Sequence, residues 1–122
     1  MNYHYPYTKA TTIKKSGVNI TLYNESSPSN IVYEVTKHGH LEEFYDDVST
    51  YTWFIVEGKG TFVLNDKRIE VGPKDVVVAP PKTRIYYFGN LTMVLMCSPK
   101  FNEENAHQIR IVDIKESPYE NS

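Results

Sequence analysis

Short runs of β-branched and aromatic residues, separated by turn residues, recur along most of this chain and constrain its fold more than any other feature. Side chains in such a run point alternately to opposite faces, so one face can be buried in a shared core. The pattern predicts an all-β domain of about nine strands, folded as a sandwich or a barrel. The predicted strands are Val18–Tyr23, Ile31–Thr36, Tyr51–Glu57, Gly60–Leu64, Lys67–Val71, Asp75–Ala79, Arg84–Phe88, Leu91–Ser98 and Gln108–Ile114.

The segments between these runs predict how the strands are connected. Gly58-Lys59 and Asn65-Asp66 each suit a tight hairpin, which enforces antiparallel pairing. The segment between Thr36 and Tyr51 is the longest without strand character, and long loops on β scaffolds often carry function. We therefore predict two tight hairpins and one long functional loop.

The domain organisation follows from length and local composition. A chain of 122 residues fits one compact domain. Residues 1–16 show no sustained period and include Pro6, which predicts an extended arm rather than a helix. Residues 17–115 form the predicted barrel, and the polar residues 116–122 form a predicted flexible tail.

Charge and composition exclude several classes of partner. The net charge of −2 lacks the basic excess that binding to a phosphate backbone requires, so nucleic acid is not an expected partner. No apolar run approaches the roughly 18 residues of a membrane span, and the polar start of the chain does not suit a secretory signal. Cys97 is the only cysteine, so we expect a cytoplasmic protein without disulfides, in which this residue is a small buried hydrophobe.

An ordered series of turn and strand signals in the middle third of the chain resembles the cupin superfamily. The series consists of Glu57-Gly58-Lys59-Gly60, then Asn65-Asp66, then Gly72-Pro73-Lys74-Asp75, and finally Val76 to Pro81. Flanking strands extend the likeness to most of the segment from Val18 to Ile114. The resemblance implies a small single-domain cupin of the RmlC-like type, whose fold is a double-stranded β-helix or jelly-roll barrel.

The same resemblance implies a metal held by three histidines and a carboxylate. In this chain the first two histidine positions fall near Tyr45 and Asp47, the carboxylate position falls on Tyr51, and the last histidine position falls on Tyr86. Phenols in place of imidazoles remove most of the affinity for a transition metal. We therefore expect degenerate metal motifs and no metal cofactor.

His38 and His40 are the other candidates for a metal site, because alternate residues of a strand point to the same side and can grip one ion. Carboxylates that could complete the ligand set follow them in the sequence: Glu42, Glu43, Asp46 and Asp47. The alternative is an exposed acidic loop with two hydrated histidines. A charged cluster without pre-organised geometry favours this second interpretation.

Strand alternation also predicts a ligand cavity. If Tyr51 points into the barrel, Trp53 points inward as well, and Arg84, Tyr86 and Phe88 line the inner face of a later strand. Aromatic faces, phenol hydroxyls and one guanidinium suit a small polar or anionic ligand, including one derived from a carbohydrate. With a register shifted by one residue, Ile85 and Tyr87 point inward instead.

Three functions remain open from the sequence. The first is a homodimeric binding protein that needs no metal and takes its small-molecule ligand through Tyr51, Trp53, Arg84, Tyr86 and Phe88. The second is a cupin enzyme, which uses either a metal on His38 and His40 or the acid–base chemistry of His40 with Tyr86 or Tyr51, as in sugar epimerases and isomerases of this fold. The third is a structural module whose barrel is filled by these aromatic side chains.

Overall fold

The computed structural model describes residues 2–119, which form a single antiparallel sheet of nine strands that curls on itself. The all-β prediction is confirmed. The strands are β1 (Thr11–Lys15), β2 (Val18–Leu22), β3 (Asn30–Thr36), β4 (Gly39–Asp46), β5 (Thr50–Leu64), β6 (Lys67–Val71), β7 (Val76–Ala79), β8 (Ile85–Ser98) and β9 (Ala106–Ile111). Three single-turn 3₁₀ helices accompany them: Tyr7–Lys9, Glu103–Asn105 and Ile114–Glu116.

Two long strands, β5 and β8, pair over almost their whole length and form the spine of the fold. The first half of β5 and the second half of β8 lie in a layer with β1, β2, β3 and β7. Their other halves lie in a layer with β4, β6 and β9. The two layers enclose a core whose largest fully buried side chains are Trp53, Tyr87 and Phe62.

The spine can pass from one layer to the other because Gly60 pairs with Gly89 at the crossing point. A Cβ on Gly89 would lie 2.4 Å from the Lys59 carbonyl oxygen, and its φ of 128° also disfavours a side chain. A Cβ on Gly60 would lie 2.5 Å from the Phe88 carbonyl oxygen. Only glycine therefore allows the two backbones to approach this closely.

Continuous strands replace two predicted breaks. The Gly58-Lys59 hairpin is wrong, because β5 runs uninterrupted from Thr50 to Leu64 and its glycines serve close packing against β8. Residues 84–88 and 91–98, predicted as separate strands, belong to the single strand β8 apart from Arg84. The Asn65-Asp66 hairpin is confirmed, since β5 pairs with β6 and both turn residues have positive φ, 50° and 69°.

The ends of the barrel also differ from the sequence-based picture. The predicted long loop contains β4, whose backbone pairs with both β8 and β9. The predicted arm contributes β1, which pairs with β2. In the predicted tail, Ser117 is buried and the Tyr119 hydroxyl lies 2.9 Å from Thr61 Oγ1, whereas residues 120–122 lie outside the described residues. No helix within residues 2–119 is long and apolar enough to cross a membrane.

Candidate functional site

Glu34 is the one carboxylate-bearing residue of β3, and the sheet register places it on the inner face. It pairs with Ile20 of β2 and with Met93 of β8, which pack in or against the main core. Antiparallel partners at the same position of a ladder share a face. The Glu34 side chain is therefore inserted among apolar residues, and the residue is only 4% exposed.

Two neutral donors converge on one oxygen of this carboxyl group. Trp53 Nε1–H donates to Glu34 Oε1 over 3.0 Å, and the Tyr87 hydroxyl donates to the same oxygen over 2.9 Å. Burial raises the pKa of Glu34, and the two hydrogen bonds offset only part of that effect. Burial likewise raises the pKa of Tyr87, so its hydroxyl keeps its proton.

The second oxygen of Glu34, Oε2, borders space that water can reach. Every fully buried side-chain nitrogen and oxygen in residues 2–119 has a hydrogen-bond partner, whereas Oε2 has none among those residues. Oε2 is therefore not fully enclosed.

His40 lies beside Tyr87 and presents a ring nitrogen in the same way. Its backbone pairs with that of Tyr87, and the centroids of the two rings are 5.8 Å apart. The Glu42 carbonyl oxygen lies 2.8 Å from Nδ1 and can only accept, so Nδ1 carries the proton and Nε2 has a free lone pair. Nε2 has no partner in the described part of the chain, so it too borders accessible space.

The neutral state of His40 is strongly favoured. The pKa of His40 is lowered from 6.5 to about 4, chiefly by burial and to a smaller extent by the positive charge of Lys15, against the opposing effect of the Glu42 carbonyl. A neutral imidazole with an accessible Nε2 is a base that is ready to accept a proton at physiological pH.

Five aromatic side chains form a closed circuit around the inner face, which we call the aromatic belt. The centroid distances along it are 5.1 Å for His40–Phe44, 5.7 Å for Phe44–Tyr51, 5.7 Å for Tyr51–Trp53, 6.0 Å for Trp53–Tyr87 and 5.8 Å for Tyr87–His40. Phe62 stacks on Tyr87 with centroids 4.6 Å apart, which fixes the orientation of that ring.

The hairpin of β1 and β2 forms the rim next to His40. Its turn is anchored to β4, because the Leu41 N–H donates to the Ser16 carbonyl oxygen over 2.9 Å. Lys15 pairs with Val18, a core residue, so its side chain lies on the inner side of the hairpin. Ile13 lies on the same side of the hairpin and is 43% exposed.

Two of the predicted ligand-binding residues occupy the inner face as expected. Trp53 and Tyr51 both belong to the main core, so the predicted direction of their side chains is confirmed. The Tyr51 hydroxyl donates to Asp46 Oδ2 over 3.0 Å, and Asp46 Oδ1 accepts the backbone N–H groups of Val48 and Ser49. Tyr51 is thus held in place by a buried carboxylate.

The predicted inner-face placement of Arg84, Tyr86 and Phe88 is wrong by one residue. Ile85 and Tyr87 point into the main core, whereas Tyr86 and Phe88 pack on the opposite face in a second cluster with Val63 and Val112. Arg84 precedes β8 and binds Asp66 through two hydrogen bonds of 3.0 and 2.8 Å. The alternative register, with Ile85 and Tyr87 inward, is the one observed, and alternation alone could not select it because Val112, after β9, helps to bury the outer face of β8 as well.

The two predicted histidine candidates have different surroundings. His38 lies in the exposed turn before β4, whereas His40 is buried in β4, so the predicted exposed loop is wrong for His40. Across residues 2–119, no group of three or more His, Cys, Asp or Glu side chains is arranged to hold a metal ion.

Cys97 is buried, and burial raises the pKa of its thiol to about 12, which confirms its role as a small hydrophobe.

The residues at the four metal-ligand positions of the cupin pattern do not fit a metal site. Tyr45 stacks on His107, with centroids 4.9 Å apart, and Asp47 binds the same imidazole over 2.7 Å. Tyr86 points to the outer cluster, and the Tyr51 hydroxyl is engaged by Asp46. The four side chains therefore do not converge, and most are phenols, which are poor ligands for the metals of this fold.

Sequence reasoning missed Glu34 and Phe44 as members of the site, and it named Tyr87 only in the alternative register. A signal existed for Glu34, since an acidic residue alternates with Val32 and Thr36 in a strand whose other positions are Ile31, Tyr33 and Val35. An acid among such residues indicates either a solvated face or a buried polar site. Only the fold shows which of these two cases applies.

Comparison with known proteins places this architecture among solved structures. Streptomyces Pac13, described as a nucleoside dehydratase, is 36% identical with a TM-score of 0.94, and the match covers 98% of this chain and 100% of that one. A histidine-to-glutamine variant of the Streptomyces protein, solved with uridine, matches at 35% identity and the same TM-score, over 98% of this chain and 100% of that one. Oxalate decarboxylase from Bacillus subtilis agrees in fold, with 13% identity and a TM-score of 0.73 over 84% of this chain and 31% of that one.

Comparison of sequences alone gives weaker evidence of relatives than the comparison of structures. No protein-family model matches the chain. An uncharacterized protein of Methanocaldococcus jannaschii, MJ1618, is 32% identical over 73 residues, which are 57% of this chain and 52% of that protein. The chain thus spans about half the length of this relative. The full-length match to Pac13 and the agreement with oxalate decarboxylase confirm the cupin resemblance, and the chain belongs to the cupin superfamily, in the family that includes Streptomyces Pac13.

Proposed function

We propose that this protein is a nucleoside dehydratase that binds a uridine-type nucleoside in its barrel and uses His40 as the general base. The observation that carries the proposal is the neutral imidazole of His40, whose ring belongs to the aromatic belt and whose Nε2 is not fully enclosed. The full-length similarity to Pac13, a nucleoside dehydratase whose variants were solved with uridine, supports the choice of reaction and ligand.

Loss of water from a sugar ring requires an acidic C–H bond next to the carbon that carries the leaving hydroxyl group. A carbonyl group beside that C–H supplies the acidity, so the substrate is a nucleoside whose sugar carries a carbonyl, and uridine itself is a ligand only. The base removes the proton, the C–H electron pair forms the new double bond, and the C–O bond breaks. The departing hydroxide takes up a proton and leaves as water.

The residues of the site match the needs of this reaction. His40 Nε2 accepts the proton, while the Glu42 carbonyl holds Nδ1–H and stabilises the imidazolium that forms. The imidazolium then donates the proton to the leaving hydroxyl group. The positive charge of Lys15, close enough to lower the His40 pKa, favours the enolate that develops as the proton leaves.

The aromatic belt provides the binding surface. Phe44, the one partly exposed ring of the belt, packs against the base or against the C–H faces of the sugar, whereas Trp53 and Tyr87, each 1% exposed, support the belt from the core. Because these rings are held by each other and by Glu34, the surface is rigid before the ligand binds. The coarser function, binding of a small polar molecule without a metal cofactor, is contained in this proposal.

The test compares His40→Gln with His107→Gln. We expect the native protein to bind uridine in calorimetry and to dehydrate a carbonyl-bearing uridine derivative, followed as loss of water by mass spectrometry. His40→Gln should still bind uridine but lose about 10²- to 10⁴-fold in rate, which is the usual contribution of a general base.

His107→Gln is the matched control, because His107 is an exposed histidine paired with Asp47 away from the inner face, and it should keep the native rate. A native protein that does not bind uridine would contradict the proposal. Uridine binding without any turnover would reduce the function to binding alone, and a fully active His40→Gln would remove His40 from the role of base.

A further inference from the structure

The chemical state of Glu34 follows from its surroundings. Its two hydrogen-bond partners, Trp53 and Tyr87, are neutral donors, and neither brings a positive charge to the carboxyl group. Tyr51 and Cys97 lie within electrostatic range of Glu34, and burial raises the pKa of both, so they are also neutral. An isolated buried carboxylate without a cation is costly, and the group avoids that cost by keeping its proton.

The hydrogen-bond geometry determines where that proton lies. Oε1 already accepts two hydrogen bonds, from an indole N–H and a phenol O–H, so it does not carry a proton. The proton of a neutral Glu34 therefore resides on Oε2. Oε2 has no acceptor among residues 2–119 and is not fully enclosed.

We propose that Glu34 acts as a neutral carboxylic acid whose Oε2–H donates a hydrogen bond to a carbonyl oxygen of the bound nucleoside. The pocket then selects ligands that offer an acceptor oxygen at this point and rejects those that offer a donor N–H. This inference rests on the proposed function for the identity of the ligand. It concerns a residue that differs from the proposed base.

Infrared spectroscopy tests the protonation state without any ligand. The native protein at neutral pH should show the carbonyl stretch of a buried protonated carboxyl group. The band should be missing in Glu34→Gln and unchanged in Glu43→Gln, a matched control in which another buried glutamate, bound to two arginines, is altered. Absence of the band from the native protein at neutral pH would overturn the proposal.

Uridine binding tests the donor role. Glu34→Gln replaces O–H by N–H and retains an oxygen for Trp53 and Tyr87, so its Kd should stay within about threefold of the native value. Glu34→Ala removes the donor and should weaken binding about tenfold or more, because an acceptor of the ligand is left without a partner. Equal weakening in both variants would indicate that the charged carboxylate is required, contrary to the proposal.

The two proposals fail in different ways. If the native protein does not bind uridine, the nucleoside function and the donor role toward it are refuted together, while the infrared band still decides whether Glu34 is neutral. If uridine binds to the native protein and the band is absent, only the inference about Glu34 is refuted. The Glu34→Ala data are read together with near-ultraviolet circular dichroism of Trp53, which reports whether the barrel is intact.

Discussion

Glu34 and Glu43 are two glutamates with the same exposure, 4%, and with opposite surroundings. Glu34 faces the barrel interior and meets only neutral donors. Glu43, on β4, meets Arg110 at 3.1 Å and Arg84 at 3.4 Å. The partners, and not the depth of burial, therefore decide what each carboxyl group can do.

Glu43 belongs to a network that fastens the last part of the chain to the barrel. Arg110 also binds Glu116 through two hydrogen bonds of 3.0 and 3.3 Å, and its guanidinium lies 5.2 Å from the centroid of the Tyr86 ring. The side chains of both arginines are about two-fifths exposed, so solvent screens part of each interaction. The network serves structure, whereas the carboxyl group of Glu34 is the one for which we propose a role in ligand binding.

The largest expected effect is a pH dependence of stability that is due to His40, a second titratable group of the inner face. Its pKa falls from 6.5 to about 4 on folding, so the unfolded chain binds more protons between these values. The stability it contributes is present above pH 6.5 and is lost as the pH falls toward 4, by about 3 kcal/mol. Urea unfolding of the native protein and of His40→Gln between pH 4 and 7 measures this loss. The same pH dependence of the free energy of unfolding in both proteins would contradict the prediction.

The two glutamates themselves should respond to amidation in opposite directions. Glu43→Gln should cost about 2 kcal/mol at pH 7, because it removes the charge that pairs with two guanidinium groups. Glu34→Gln should stabilise the protein increasingly as the pH rises above 4.5, by at most about 1.4 kcal/mol per pH unit, because folding of the native chain requires proton uptake by a group whose pKa is raised. Urea unfolding at several pH values measures both effects. A change of the same sign in the free energy of unfolding of both variants would contradict the prediction.

The smallest effects concern neighbouring tyrosines on opposite faces of β8. Tyr87→Phe removes one of the two donors to Glu34 and should cost about 1 kcal/mol. Tyr86→Phe removes a hydroxyl that has no hydrogen bond within residues 2–119, and it should change stability by less than about 0.5 kcal/mol. Thermal unfolding of the two variants side by side distinguishes them, and equal losses would mean that the Glu34 bond contributes nothing.

Part of the candidate site could be predicted from the sequence, since alternation from Tyr51 correctly directed Trp53 inward. The same argument failed on β8. Residues 85–88 are all buried and all apolar or aromatic, so the sequence does not distinguish the inner from the outer face. His40 was singled out, and its burial could not be anticipated while β4 was taken for a loop. The homodimer and the cytoplasmic location stay predictions.

The sequence by itself determined the β architecture, the Asn65-Asp66 hairpin and the cupin resemblance, because these depend on local alternation and on turn residues a few positions apart. Only the tertiary structure decided which face of β8 is inner and which partners Glu34 has. Trp53 and Tyr87 are 19 and 53 residues from Glu34 in the chain. Their meeting on one oxygen depends on the curl of the whole sheet, and no local pattern encodes that curl.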